Sequence, residues 1–253
     1  MPFTEHLEVL RKMLLRLAAV LCVLVVALFC LKDEVFELLL APKEYDFVTF
    51  RVIERLLHWC GSPFCFEPYH VQLINTELSG QFMAHLSASF YLSLLVASPY
   101  ILAEVFGFVL PALYDNERYW AKRVVVVMYV LFAAGVLMTY FVLFPISFRF
   151  LGTYQVSGDV VNNITLGSYI STFSSLTFMM GLVFQLPLVC WFLGRIGVLT
   201  ADVMRRYRRH ALVGIMAVSA IITPPDVFTL LLVTVPLYLL YEASIWVVKS
   251  PKQ

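Results

Sequence analysis

Few side chains in this 253-residue chain could do chemistry, and those with a defined setting are acids and an amide rather than nucleophiles. The clearest is Glu117, inside the polar elbow Phe108-Val-Leu-Pro-Ala-Leu-Tyr-Asp-Asn-Glu-Arg118 that separates two long apolar runs. Pro111 has no N–H to donate and restricts the residue before it, so it ends the incoming helix. Asp115 or Asn116 can then cap the next helix and place Glu117 in its first turn, where a carboxylate suits the positive end of the helix dipole. Further acids, Glu5 and Glu8, stand beside Arg11 at the N-terminus. Gln185, followed by Pro187, lies deep in another apolar run, and a buried amide there needs a hydrogen-bond partner in this chain or on a neighbouring helix. There is no glycine-rich phosphate loop, no pair of carboxylates within an apolar run and no His/Cys set at metal spacing inside one, which excludes hydrolysis and redox catalysis. No catalytic residue, metal or cofactor is expected.

The elements that position these groups are membrane helices. Apolar residues make up 61% of the chain and charged residues only 14%, a balance foreign to soluble domains of this length. A helical span needs roughly 20 mostly apolar residues. Six runs qualify or nearly so: Met13 to Leu31, Phe82 to Val105, Val124 to Phe148, Tyr169 to Leu193, Ala211 to Ile222 and Phe228 to Val248. The fifth is short for the ~30 Å of hydrocarbon at about 1.5 Å per residue. Basic residues cluster before the first run (Arg11, Lys12, Arg16), in the elbow (Arg118, Lys122, Arg123), before the fifth (Arg205, Arg206, Arg208, Arg209) and after the sixth (Lys249, Lys252). The positive-inside rule makes these four segments cytoplasmic, so the expected fold is a single all-α membrane domain over residues 1–253, six helices, N-in and C-in, the last two short. The net charge of +1 gives no electrostatic footprint for nucleic acid, and none is expected as a partner.

Along the chain, Phe3, Leu7, Leu10 and Leu14 recur at helical steps and predict an amphipathic helix entering the membrane; the run that follows is a retained span, since Lys-Asp-Glu and not a small-residue cleavage site comes after it. The connection 32–79 is the longest and is external, with Phe47, Phe50, Ile53, Leu56 and Leu57 predicting a short helix that rests on the membrane or caps the bundle. It holds Cys60 and Cys65 around Gly61-Ser-Pro-Phe64, whereas Cys22, Cys30 and Cys190 are expected to be buried in spans; a zinc site would need His58 and His70 as well. The second span is rich in Ala and Ser for close helix packing, should kink at Pro99, and carries Glu104 near its cytoplasmic end, snorkelling to the interface. The third span is expected to end at Pro145 and Arg149. Thr223-Pro-Pro-Asp226 is a rigid turn on the outer face: Pro224 and Pro225 fix the backbone and Asp226 caps the last helix.

Three segments together resemble the TatC family, the polytopic subunit of the twin-arginine protein translocase: His6-Leu-Glu-Val-Leu-Arg11, the elbow Phe108 to Arg118, and Thr223-Pro-Pro-Asp-Val-Phe228. Thr76-Glu77 and Phe184-Gln-Leu-Pro187 extend the likeness to nearly the whole chain. The resemblance implies a non-enzymatic protein of the bacterial inner membrane. It would bind twin-arginine signal peptides of folded cargo through Glu117, Arg118 and Arg11, and recruit TatA/TatB-like single-span proteins through Gln185 and Pro187. It would assemble with other copies of itself in membrane lipid and work in export driven by the proton-motive force. The chain has Val9 where the family usually has glutamate, leaving Glu8 or Glu5 to substitute, and Gln185 where glutamate is frequent. The competing class is a small-solute or proton-coupled carrier using Glu104, Gln185 and Glu242, which is disfavoured because Gln185 cannot titrate.

The placement of Cys60 and Cys65 in an external loop predicts a disulfide between them, closing a loop short enough to contribute only about 2 kcal/mol. Mass spectrometry of protein taken from the membrane without reductant should show the bridged peptide; two alkylatable thiols there would refute it.

Overall fold

The computed structural model describes residues 3–61, 66–109, 118–157 and 162–248, with backbone alone over 3–6, 109 and 118–122. The described residues form a helical bundle. In chain order the helices are α1 (Phe3–Cys30), α2 (Lys32–Leu40), α3 (Val48–Trp59), α4 (Gly80–Val109), α5 (Arg118–Met138), α6 (Phe144–Thr153), α7 (Leu166–Val183), α8 (Leu186–Arg195), α9 (Ala201–Arg206), α10 (Arg208–Ile222) and α11 (Val227–Val247). Two strands, β1 (Leu73–Ile74) and β2 (Ile164–Thr165), pair in parallel and tie the connection after α3 to the one after α6.

Among the described residues, five helical stretches are long and apolar enough to cross a membrane: Leu7–Cys30, Gly80–Phe108, Arg123–Thr153, Leu166–Arg195 and Val227–Val247. The remaining apolar run forms α10, whose 15 residues reach only about 22 Å. Close approach of the helices rests on small residues, as the sequence of the second span predicts: Ala84, Ala88, Ser89, Ser93, Ala97 and Ser98 of α4 are all buried. At the crossing of α5 and α7 a Cβ on Gly135 would stand 2.6 Å from the Met180 carbonyl oxygen, and one on Gly181 would stand 2.6 Å from the Phe132 ring. Cys22 and Cys30, expected inside, lie instead on the outward face of α1; being in a span does not decide which side of the helix a residue occupies.

Prolines set the shape of the long helices, because each leaves the carbonyl four residues earlier without its helical donor. Pro99 would strand the Leu95 carbonyl, and the Ser98 hydroxyl donates to it at 2.7 Å. Pro145 does not end the third span as expected. It sits in the first turn of α6, and the helix continues to Thr153 through a π-helical turn at Thr139–Leu143. The carbonyl it frees belongs to Phe141 and accepts a hydrogen bond from the Thr49 hydroxyl of α3. Pro187 has the larger effect: the fourth run, expected as one helix, is broken into α7 and α8 by a turn at Phe184 and Gln185.

The connection 32–79 is a built cap and not a loose loop. The last carbonyls of α2 and of the turn after it would be orphans, and three tyrosines take them: Tyr140 donates to Leu38 at 2.9 Å, Tyr169 to Leu39 at 2.8 Å, and Tyr69 to Lys43 at 2.9 Å. Tyr169 stands edge-on to Phe144 and Phe148, each with ring centroids 5.1 Å away, in the centre of the apolar core. Arg149 of α6 is held among the rings of Phe50, Phe66 and Tyr69 at 5.1, 4.5 and 4.8 Å and donates to the Glu67 carbonyl at 2.9 Å. Burial pushes the Tyr69 phenol up to about 12, with the Arg149 charge pulling the other way. Helix α3 therefore caps the bundle through its first turn, Thr49 and Phe50, while Leu56 and Trp59 at its far end are exposed. Cys60 follows it as a free, exposed cysteine; its expected partner Cys65 lies outside the described residues.

Thr49→Val keeps the shape of the side chain and removes the donor to Phe141. It should destabilise the protein by roughly 1 kcal/mol or somewhat more, the cost of leaving a partly buried carbonyl unpaired. Thr177→Val should cost less, because the Phe173 carbonyl that Thr177 contacts lies inside an uninterrupted helix and keeps its backbone donor. Thermal unfolding of the purified protein in detergent compares the two, and equal shifts would show that the Thr49 contact carries no special weight.

Candidate functional site

Helix α1 runs antiparallel to α4 and packs along it. Their common end is fixed by a three-residue contact. Glu104 Oε1 accepts from Arg16 Nη1 at 3.2 Å and from the Tyr100 hydroxyl at 3.0 Å. Glu104 was expected to snorkel to an interface; it is instead tied to the neighbouring helix, its side chain only 21% exposed against 59% for Arg16. From this tie, five residues back along α1 lead to Arg11 and five residues on along α4 lead to Val109, about 7.5 Å in each case. Arg11 therefore stands level with the helix end from which the elbow departs.

Of the expected site residues, Glu8 and Arg11 lie exposed on α1, with Glu8 in an i,i+4 pair with Lys12 at 2.7 Å. Such an exposed pair contributes little. Val9 projects into solvent between them. Glu5 and Arg118 are described in backbone only, at the start of α1 and of α5. Pro111 and Glu117 lie outside the described residues, so the structure places the two helices that flank the elbow but not the elbow.

A second contact of the same composition ties α10 to α11. Arg208 Nη2 donates to Glu242 Oε2 at 2.8 Å and the Tyr238 hydroxyl donates to Glu242 Oε1 at 3.0 Å. In both cases tyrosine precedes glutamate by four residues on one helix and the arginine comes from another. That Tyr-x3-Glu spacing was visible in the sequence as Tyr100/Glu104 and Tyr238/Glu242; what it could not show is which arginine each pair would meet. Both acids of the carrier reading are thus held by guanidinium groups, an arrangement that anchors helices.

Gln185 is turned inward. Its Nε2 donates to the Met128 carbonyl of α5 at 2.9 Å, while Oε1 is buried without a hydrogen-bond partner. Beside it an apolar groove of about 430 Å³ opens between α5, α8 and the end of α11, lined by Val124, Val127, Leu131, Pro187, Leu188 and Trp191, and Gln185 is not part of its wall. At the opposite end of the bundle, Asp226 Oδ1 accepts from the Thr229 backbone N–H at 2.6 Å, the expected cap of α11, with Pro224 and Pro225 in the turn before it.

Comparison with known proteins decides what this scaffold is. The family model for Sec-independent protein translocase protein (TatC) matches residues 5–236. The chain belongs to the TatC family. Curated TatC proteins from Blattabacterium sp. subsp. Periplaneta americana and from Escherichia coli strain K12 are 32% and 30% identical to it. The alignments cover 98% and 97% of this chain, and 94% and 87% of theirs. A crystal structure of a twin arginine translocase receptor, TatC, superposes with a TM-score of 0.74 at 28% identity, over 96% of this chain and 97% of that one. Membership makes the chain a polytopic membrane component of the Sec-independent, twin-arginine protein translocase, a protein-transport subunit and not an enzyme.

The Gln185 contact gives a test of local structure. Gln185→Leu removes both the bond to Met128 and the unpaired Oε1, two effects of opposite sign, so the melting temperature should move by less than for Thr49→Val. A larger loss would mean that the amide braces α5 against the break between α7 and α8.

Proposed function

We propose that this TatC protein receives the twin-arginine signal peptides of folded cargo at its cytoplasmic face, with Glu117 as the principal acceptor for the arginine pair and Arg11, Arg118 and Glu8 or Glu5 around it. The observation that carries this reading is the register of α1 against α4, which brings the N-terminal segment level with the start of the elbow. Both segments resemble the family's motifs in order, with Val9 as the departure in the first, and both fall within the matched residues 5–236. The arrangement across the bilayer is six spans, N-in and C-in, in a bacterial inner membrane, with α10 as the short span. Exposed Arg205, Arg206, Arg208 and Arg209 in α9 and α10 supply the positive charge that this orientation requires.

Recruitment of TatA/TatB-type single-span proteins is assigned to the face around Gln185 and Pro187. The apolar groove beside Pro187 supports it by offering a seat for aliphatic side chains, and Gln185 braces α5, one wall of that groove, through its bond to Met128. Other copies of the chain and surrounding lipid complete the assembly, and the proton-motive force drives export.

Glu117→Ala should abolish binding of a twin-arginine signal peptide, a loss of roughly 2–5 kcal/mol if the pair is shielded from bulk water, and Glu117→Gln should weaken it less. Peptide affinity for the purified variants, with a twin-lysine peptide as control, is the measurement; an Ala variant that binds like the parent would refute the elbow as the site. Gln185→Leu should reduce co-purification of the single-span partner while leaving peptide affinity unchanged. Undiminished co-purification would show that Gln185 serves only Met128.

A further inference from the structure

The tie between α1 and α4 differs from its counterpart between α10 and α11 in one respect. Glu242 uses both carboxylate oxygens, Oε2 for Arg208 at 2.8 Å and Oε1 for Tyr238 at 3.0 Å. Glu104 directs both of its donors to the same atom: Arg16 and Tyr100 share Oε1, and the arginine contact is a single one at 3.2 Å. Oε2 of Glu104 accepts from no described group. A guanidinium and a carboxylate in a strong pair meet through two parallel N–H···O bonds, and this pair makes one of the two. Its arginine is mostly exposed and its acid mostly shielded, so the guanidinium can leave into water while the carboxylate stays.

We propose that Glu104, with Tyr100, is a second acceptor for the arginines of the signal peptide, and that Arg16 is an internal occupant which one of those arginines displaces. This deepens the signal-receptor reading above and rests on it. Two adjacent arginines in an extended segment point to opposite sides, so they need two acceptors set apart. Glu117 in the elbow is one. The position that would supply the other on α1 is Val9, which has no charge, and Glu8 one residue earlier faces solvent in an exposed pair with Lys12. Glu104 lies on α4, five residues before Val109 and hence about 7.5 Å inside the helix end that leads to the elbow, with one carboxylate oxygen that no described group uses. Displacement exchanges one guanidinium for another on the same carboxylate, so no net charge is buried and the incoming arginine gains the second hydrogen bond that Arg16 does not make. Tyr100 holds the carboxylate in place throughout.

The alternative is a strut, in which the pair only keeps α1 against α4. The two make opposite predictions for Arg16. A labelled twin-arginine signal peptide is titrated into the purified parent, Arg16→Gln, Glu104→Gln, Glu242→Gln, Glu117→Ala and the reversed pair Arg16→Glu with Glu104→Arg, and the melting temperature of each is recorded. Removal of the internal occupant in Arg16→Gln should tighten binding severalfold, and Glu104→Gln should weaken it by about tenfold or more, the loss of one charge-assisted contact. The reversed pair should melt near the parent and yet bind as poorly as Glu104→Gln. Glu242→Gln should leave affinity unchanged. Weaker binding in Arg16→Gln, parental affinity in the reversed pair, or an equal loss in Glu242→Gln would overturn the proposal, since each reports a strut or a general loosening. These outcomes are separable from failure of the receptor reading itself, which would appear as no peptide binding by the parent or as full binding by Glu117→Ala.

Discussion

Backbone carbonyls that cannot reach water, and that prolines have stripped of their helical donors, are the constraint on which the rest of this structure depends. In hydrocarbon an unpaired carbonyl costs several kcal/mol, so each proline demands a local answer. Three of these answers differ, and each shapes the protein. At Pro99 a neighbouring hydroxyl on the same helix suffices, and α4 runs on unbroken to the elbow. At Pro145 the donor comes from α3, so the carbonyl of Phe141 becomes the point where the connection after α2 is fastened to the membrane bundle. At Pro187 the helix stops and restarts, and the gap turns the Gln185 amide towards α5.

The same accounting explains the cap over one end of the bundle. Helix α2 and its following turn end against α6 and the start of α7, beside the rings of Phe144, Phe148 and Tyr169. Tyr69, Tyr140 and Tyr169 answer their terminal carbonyls, and Arg149 secures the rest of the connection from beneath its ring cage. Of these contacts the one from Tyr169 is buried in the apolar core, which makes it the costliest to lose, while those from Tyr140 and Arg149 lie at the exposed edge. The cap is rigid where it meets the core and exposed beyond it, at Leu56 and Trp59.

At the other end the design uses charge. Two acids that would be expensive alone within apolar helices are each neutralised by an arginine from a neighbouring helix and steadied by a tyrosine one turn earlier. One of these ties is saturated and the other is not. The difference lies in which carboxylate oxygens are used. Under the displacement proposed for Glu104, an acceptor already paired with its own guanidinium is preorganised and stays neutral until the guest arrives.

Local chemistry was enough to read much of the architecture: long apolar runs mark the membrane helices, and Thr223-Pro-Pro-Asp226 makes the capped turn before α11. These features depend on residues within a few positions of one another, so the chain order contains them. What the tertiary structure decided are pairings between residues far apart in sequence: Thr49 with Phe141, Arg149 with Phe50 and Phe66, Arg16 with Glu104, Gln185 with Met128. The sequence marks Glu104 as an acid in an apolar helix that needs a partner, and offers several arginines for it. Only the packing of α1 along α4 selects Arg16, because helices meet along one face and in one register, and a charge one turn away on the same helix points elsewhere.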